Sequence, residues 1–210
     1  MSTAREEILA RIRGALGSDT PARAPIPRAY RQVAEDTREE RLERFAERVA
    51  EYRASVRRCD EAGLPAAIAE ACAARGVKTL VVPPDLPEAW IPPGVQPLRD
   101  PGLSNVDLDA ADGVLTGCAL GIAETGTIVL DGGARQGRRA LSLLPDYHLC
   151  VVFAHQVVGL VPEAIERLRP AAAEGRPITF ISGPSATSDI ELSRVEGVHG
   201  PRTLEVVIVR

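Results

Sequence analysis

The segment of residues 116–131 constrains the fold of this chain more than any other segment. Its sequence, TGCALGIAETGTIVLD, is apolar on both flanks and polar at its centre. Leu120 and Ile122 alternate with small residues before the centre, and Ile128 and Leu130 do so after it. Because a period of two is typical of β-strands, the pattern predicts a strand, a tight turn and a second strand. The polar tip either closes a hairpin or faces a ligand.

The composition places the chain among globular proteins and excludes several partner classes. Its 210 residues are 45% hydrophobic, which is enough for one large domain or one domain with an appendage. Aromatic residues make up only 3%, so a ring platform that stacks bases is not expected. The net charge of -4 also disfavours nucleic acid as a partner. Since no apolar run approaches the roughly 20 residues of a membrane span, we expect a cytoplasmic protein without one.

The cysteines predict a chain without a cofactor of its own. The four thiols, at Cys59, Cys72, Cys118 and Cys150, lie in apolar stretches, and no two have the Cys-x-x-Cys spacing. Metal and iron–sulfur sites use clustered thiolates, which this spacing does not provide. We therefore expect buried, reduced thiols.

Two capping boxes and a proline-rich stretch divide the chain. Thr3 and Glu6 begin an amphipathic helix that Gly17 ends, and three prolines follow within residues 18–35. This predicts an N-terminal helix and arm over residues 1–35, which docks on the body or on another subunit. Residues 36–210 then form the main α/β domain.

The remaining pattern alternates helices with apolar strands. A second capping box at Thr37 begins a long amphipathic helix that is predicted to run to about Arg58. The sequence further predicts helices near residues 65–75, 136–144 and 162–168, and strands at residues 77–82, 147–153, 177–182 and 204–209. Unbroken apolar strands between helices are typical of a parallel sheet that is covered on both faces.

The tip of the hairpin carries the best candidate for chemistry. Gly121 and Gly126 have the glycine spacing of a phosphate-binding loop, but the lysine that should follow is absent, so we reject that interpretation. Glu124 is the candidate catalytic residue, since a buried carboxylate has a raised pKa that suits a base or nucleophile. Thr125, Gly126 and Thr127 are candidate ligand contacts. The alternative is an exposed turn glutamate with Gly126 at positive φ.

Three arginines follow the hairpin at the predicted start of a helix. Arg135, Arg138 and Arg139 would there oppose the helix dipole, which prefers negative charge. Either they form a solvated face, or an anion lies between them and the helix. We favour an anion for Arg139.

Two later polar segments complete the candidate site. The loop after the strand at residues 177–182 is a possible anion cradle, with the contacts Ser182, Ser185, Thr187 and Asp189. Turn and N-cap chemistry uses the same residue types. His199 and Arg202 lie in the rigid turn GVHGPR, where a ligand role and a backbone-bonding role are comparably supported. His148, within a strand, is interpreted as a core residue.

Three motifs resemble the LUD domain, and within it the family of lactate-utilisation C proteins. They are GIAETGTIVL at residues 121–130, RALSLLP at residues 139–145 with His148, and ISGPSATSDIE at residues 181–191 with GVHGPR at residues 197–202. The resemblance covers nearly the whole chain. His155 departs from it, because an acidic or other polar residue is expected there.

The resemblance implies a fold and a role. The implied fold is α/β: a Rossmann-like, mostly parallel sheet of the sugar-phosphate isomerase and CoA-transferase type, with a small β-hairpin element and N-terminal helices. The implied role is in oxidation of L-lactate to pyruvate with separate iron–sulfur subunits, and the expected ligand is a small carboxylate or phosphate. Two alternatives stay open. One is an acyl or phosphoryl transferase that uses Glu124, and the other is a non-catalytic assembly scaffold.

Overall fold

The computed structural model describes residues 3–17, 26–188, 194–197 and 199–210. The chain divides into two compact units, Met1–Tyr30 and Arg31–Arg210. In the first unit, helix α1 (Ala4–Leu16) begins at the predicted capping box of Thr3 and Glu6 and buries none of its side chains. Within the described ranges, no helix has the length and apolar character needed to cross a membrane.

The second unit contains four helices and twelve strands among its described residues. In chain order these are α2 (Arg38–Glu51), β1 (Ser55–Cys59), α3 (Leu64–Arg75), β2 (Thr79–Val82), β3 (Gln96–Arg99), α4 (Asn105–Asp109), β4 (Gly113–Thr116), β5 (Leu120–Ile122), β6 (Thr127–Leu130), β7 (Tyr147–Phe153), β8 (Val157–Val158), α5 (Val161–Ala173), β9 (Thr179–Ile181), β10 (Ala186–Ser188), β11 (Arg194–Glu196) and β12 (Thr203–Val209).

A six-stranded parallel sheet forms the centre of this unit. Its strand order is β1-β12-β7-β4-β2-β3, and every pairing within it is parallel. Helix α2 contributes Phe45 and Val49 to the apolar cluster on one face, while α3 contributes Leu64 and Ile68 to the cluster on the other. The predicted α/β fold with a mostly parallel sheet is therefore confirmed.

The predicted hairpin belongs to a second sheet of four strands. Strands β5 and β6 pair antiparallel, and β8 and β9 flank them in the order β8-β5-β6-β9. Ile128 and Leu130 face the central sheet, whereas Leu120, Ile122 and Val129 pack beneath α5. Both faces of the hairpin are thus buried, which explains why its flanks are almost continuously apolar.

Close packing explains the two glycines of the hairpin. A Cβ atom at Gly121 would lie 2.9 Å from the ring of Phe45. Gly126 has φ of +59°, and a Cβ atom there would lie 2.5 Å from the backbone carbon of Arg48. These glycines therefore allow α2 to approach the hairpin, a role that needs no bound phosphate.

Two predicted helices differ from the structure. Helix α2 ends at Glu51 rather than near Arg58, because the chain turns through Arg53 at φ of 65° and enters the edge strand β1. The helix predicted at residues 136–144 is a single 3-10 turn, Arg139–Ser142, since Arg135 and Gly137 have positive φ and interrupt helical geometry. In both places, tertiary packing overrides the amphipathic spacing.

Replacing Thr37 with alanine should lower the free energy of unfolding by about 1 kcal/mol. The Thr37 hydroxyl accepts the N–H of Glu40, and the Glu40 carboxylate accepts the N–H of Thr37 at 2.8 Å. Urea unfolding followed by circular dichroism measures the effect. The matched control is Thr3→Ala, which removes the same cap from α1 and should leave the main transition unchanged, because α1 buries no side chain. An equal loss in both variants would contradict the prediction.

Candidate functional site

A cavity of about 210 Å³ lies between the two sheets, near the beginnings of β7 and β12. Its wall combines the 3-10 turn, β9, the loop after β9 and the turn before β12. The polar side chains that line it are Arg139, Ser142, His148, Thr179, Ser182, Ser185 and His199. Three segments that the sequence analysis proposed as walls of one site therefore come together here.

Arg139 is the cation of the cavity. Its guanidinium donates a long hydrogen bond of 3.4 Å to the Ser142 hydroxyl. Among the described residues, no carboxylate lies within ion-pair distance of the Arg139 guanidinium. Burial lowers the pKa of Arg139, because removal from water disfavours its charged form. A partly buried cation without a counter-charge favours the binding of an anionic ligand.

The neighbouring arginines do not share this site. Arg138 binds the buried Asp100 carboxylate through two hydrogen bonds of 2.9 and 3.0 Å. Arg135 donates its backbone N–H to Asp85, and its guanidinium lies over the ring of Trp90. The helix predicted to begin at these arginines is absent, because positive φ at Arg135 and Gly137 turns the chain and sends the three side chains in different directions. The anion favoured at Arg139 stays a prediction.

The loop after β9 and the turn before β12 are joined through Ser185. Its hydroxyl accepts the backbone N–H of His199 at 3.1 Å, and its own N–H donates to the Pro201 carbonyl at 2.8 Å. His199 is thereby held at the cavity wall through its backbone, as the backbone-bonding interpretation of this turn predicts. Its ligand role stays a prediction. Ser182 reaches the cavity from the end of β9.

His148 lines the cavity, although the sequence analysis assigned it to the core. The side chain is 1% exposed, and its Nε2 lies 2.7 Å from the Thr116 hydroxyl on the adjacent strand β4. Strand position predicted burial correctly but could not show that the buried ring borders a cavity. The register that pairs β4 with β7 brings Thr116 to this ring, and a lone sequence gives no signal of it.

Glu124 does not line the cavity. Its carboxylate accepts a hydrogen bond from Arg31 at 2.5 Å, and its side chain is 41% exposed. Its backbone N–H donates to the Gly159 carbonyl at 3.0 Å, which fixes the tip against the segment before α5. The carboxylate is therefore exposed and paired with Arg31. This arrangement agrees with the alternative interpretation, in which Glu124 is an exposed turn residue.

The other tip residues reach the cavity only indirectly. The Thr127 hydroxyl lies 2.7 Å from that of Thr125 and 2.8 Å from that of Ser182. This chain of hydroxyls connects the tip to Ser182, which does line the cavity. Gly126 serves packing against α2, as described above.

Of the three remaining candidates, Arg202 lies away from the cavity, and the side chains of Asp189 and Thr187 are not among those that the structure describes. Arg202 forms an exposed ion pair with Asp146 at 3.2 Å and does not line the cavity. Asp189 lies outside the described residues. Thr187 belongs to strand β10, and its side chain also lies outside the description.

The lining determines what the cavity can bind. One guanidinium, two imidazoles and four hydroxyls line it, and its described lining includes no acidic side chain. The volume is below the 300 Å³ or more that is typical of pockets for drug-sized ligands, so a small anion fits best. Within the described ranges, no group of three or more His, Cys, Asp or Glu side chains is placed to hold a metal ion.

Comparisons with known proteins agree with the motifs. The family model described as the LUD domain matches residues 105–209. The chain is 48% identical over 207 residues to lactate utilization protein C of Deinococcus radiodurans, covering 98% of this chain and 95% of that protein. It is 37% identical over 114 residues to lactate utilization protein C of Shouchella clausii, covering 53% of this chain and 49% of that protein.

A solved structure shows the same fold. The crystal structure of a DUF162 family protein from Deinococcus radiodurans superposes with a TM-score of 0.74 at 45% identity, covering 83% of this chain and 99% of that one. The similarity therefore extends over most of the chain rather than over isolated motifs. The chain belongs to the LUD domain family.

Proposed function

We propose that this protein acts in lactate utilisation and that its cavity binds the carboxylate of L-lactate or pyruvate. Arg139 carries this proposal, because it is partly buried in a cavity of suitable size and lacks a carboxylate partner among the described residues. The names of the Deinococcus and Shouchella relatives support the pathway. A guanidinium and a carboxylate form charge-assisted hydrogen bonds, the strong class among hydrogen bonds in proteins.

The proposal includes separate iron–sulfur subunits as redox partners, as the family resemblance implies. Oxidation of lactate to pyruvate removes two electrons and two protons, and the electrons require an acceptor. The sequence has four cysteines without clustered spacing, which supports placing the acceptor on another subunit. The cytoplasmic location stays a prediction.

Growth on lactate tests the role. A strain that lacks this chain should fail to grow on L-lactate but grow on pyruvate, and the intact chain should restore growth. Affinity purification of a tagged chain from lactate-grown cells, followed by iron analysis, tests the partners. Normal growth of the deletion strain on L-lactate would contradict the role, and iron-free chain that purifies without another protein would contradict the partnership.

Both alternatives stay predictions. The transferase would need Glu124 to attack a bound ligand, whereas the carboxylate here pairs with Arg31. The scaffold would use α1, whose residues Ile8, Ile12 and Leu16 are exposed.

A further inference from the structure

A second, larger cleft of about 500 Å³ lies at the opposite ends of the central strands. Cys118 and Gln156, which follow β4 and β7, line it together with residues after β6 and residues of α5. The cleft therefore lies at the carboxyl ends of β4 and β7, and open parallel sheets bind ligands at this end of their strands.

Three arginines line this cleft and one acidic residue accompanies them. Arg176 is paired with Asp131 at 3.1 Å, so these two charges compensate each other. Arg135 and Arg167 have no carboxylate within ion-pair distance in the described part of the chain. Arg167 makes one long hydrogen bond, of 3.4 Å, to the His155 carbonyl. Two guanidinium charges therefore lack compensation.

The backbone holds Arg135 in a strained conformation. Its φ is 61°, which is uncommon for a residue other than glycine. Its N–H donates to the Asp85 carboxylate at 2.7 Å, and its carbonyl accepts the N–H of Gly117 at 2.7 Å. Its guanidinium carbon lies 5.7 Å from the centre of the Trp90 ring and 5.8 Å from that of Phe153. Strain that neighbouring groups enforce is typical of functional positions.

We propose that this cleft binds an organic phosphate, with Arg135 and Arg167 as the cations that recognise the phosphate group. Two uncompensated guanidiniums match the double charge of a phosphate, whereas the single Arg139 of the first cavity matches a carboxylate. The volume is within the range that is typical of small-molecule and cofactor sites. This site is separate from the carboxylate cavity, and the two share no arginine.

Trp90 provides a direct readout, because it is the single tryptophan of the chain and lies beneath the Arg135 guanidinium. Pyrophosphate, the phosphate probe, should change its fluorescence saturably in the full chain, and sodium chloride at equal ionic strength should not. Arg167→Gln should weaken pyrophosphate binding about tenfold, as loss of one charge-assisted contact predicts. Arg135→Gln changes the surroundings of Trp90 and hence the baseline fluorescence, so binding to this variant is measured by calorimetry. It should show a similar loss of pyrophosphate affinity.

Arg169→Gln is the matched control, since Arg169 lies on the same helix but pairs with Glu166 outside the cleft. It should bind pyrophosphate as the unmodified chain does, and so should Arg139→Gln. The proposal is overturned if the full chain gives no saturable response, if Arg169→Gln weakens binding equally, or if succinate binds as tightly as pyrophosphate. If only Arg139→Gln weakens pyrophosphate binding, the phosphate binds in the first cavity. That result would contradict the proposals for both sites.

Discussion

Replacing Arg139 with glutamine should weaken binding of L-lactate and pyruvate by roughly ten- to a hundredfold. Glutamine can still donate a neutral hydrogen bond. The substitution removes the positive charge of Arg139, the only arginine among the described residues that line the cavity. Because this position is partly shielded from water, the loss of charge should cost more than it would at the surface. Isothermal titration calorimetry, or saturation-transfer NMR of the ligand, measures the change.

Two further variants separate this effect from general damage. Arg202→Gln removes a nearby guanidinium that pairs with Asp146 outside the cavity, so ligand affinity should not change. Glu124→Gln should also retain affinity, because its carboxylate faces Arg31. Unchanged affinity in Arg139→Gln would refute the carboxylate site. Loss of pathway activity in Glu124→Gln, with ligand binding intact, would favour the transferase alternative.

Replacing Glu205 with alanine should lower the free energy of unfolding by about 3–5 kcal/mol, the range for removing one partner of a buried ion pair. Glu205 is 2% exposed on the central strand β12. It accepts hydrogen bonds from Arg57, from Arg75 at 3.2 Å and from the Tyr147 hydroxyl at 3.0 Å. The variant leaves two cations and a buried hydroxyl without their shared acceptor.

Urea unfolding at neutral pH measures this loss, and Glu43→Ala is the control. Glu43 pairs with Arg58 at the surface, where its side chain is 52% exposed. Exposed pairs contribute between zero and about 1 kcal/mol, so the control should unfold almost as the unmodified chain does. Similar losses in the two variants would contradict the assignment of Glu205 as a buried, shared acceptor.

The contribution of Glu205 should also depend on pH. Burial raises the pKa of this carboxyl, but hydrogen bonds from Arg57, Arg75 and Tyr147 outweigh burial, so its pKa in the folded protein is lowered. A carboxyl with a lowered folded pKa stabilises the protein above its unfolded pKa and loses that effect as the pH falls through the folded value. The difference between the unmodified chain and Glu205→Ala should therefore be full at neutral pH and shrink in acid, as the pH falls below 4.5, the ordinary pKa of a glutamate carboxyl.

The sequence by itself determined the features that depend on neighbours along the chain. Period-two alternation placed the hairpin of β5 and β6, and the unbroken apolar run placed β7 at the residues where it is observed. The capping boxes at Thr3 and Thr37 placed the beginnings of α1 and α2. These signals depend on side-chain direction and on hydrogen bonds over three or four residues, which a sequence records directly.

Only the tertiary structure decided which polar residues share a site. Arg135, Arg138 and Arg139 are close in sequence, yet positive-φ turns send one to each cavity and one to Asp100. His148 borders the first cavity because the β4–β7 register and the loop after β9 leave space beside it, and Glu124 lies elsewhere because Arg31 and Gly159 hold the tip away. Such placements depend on contacts between distant segments, which local periodicity does not encode.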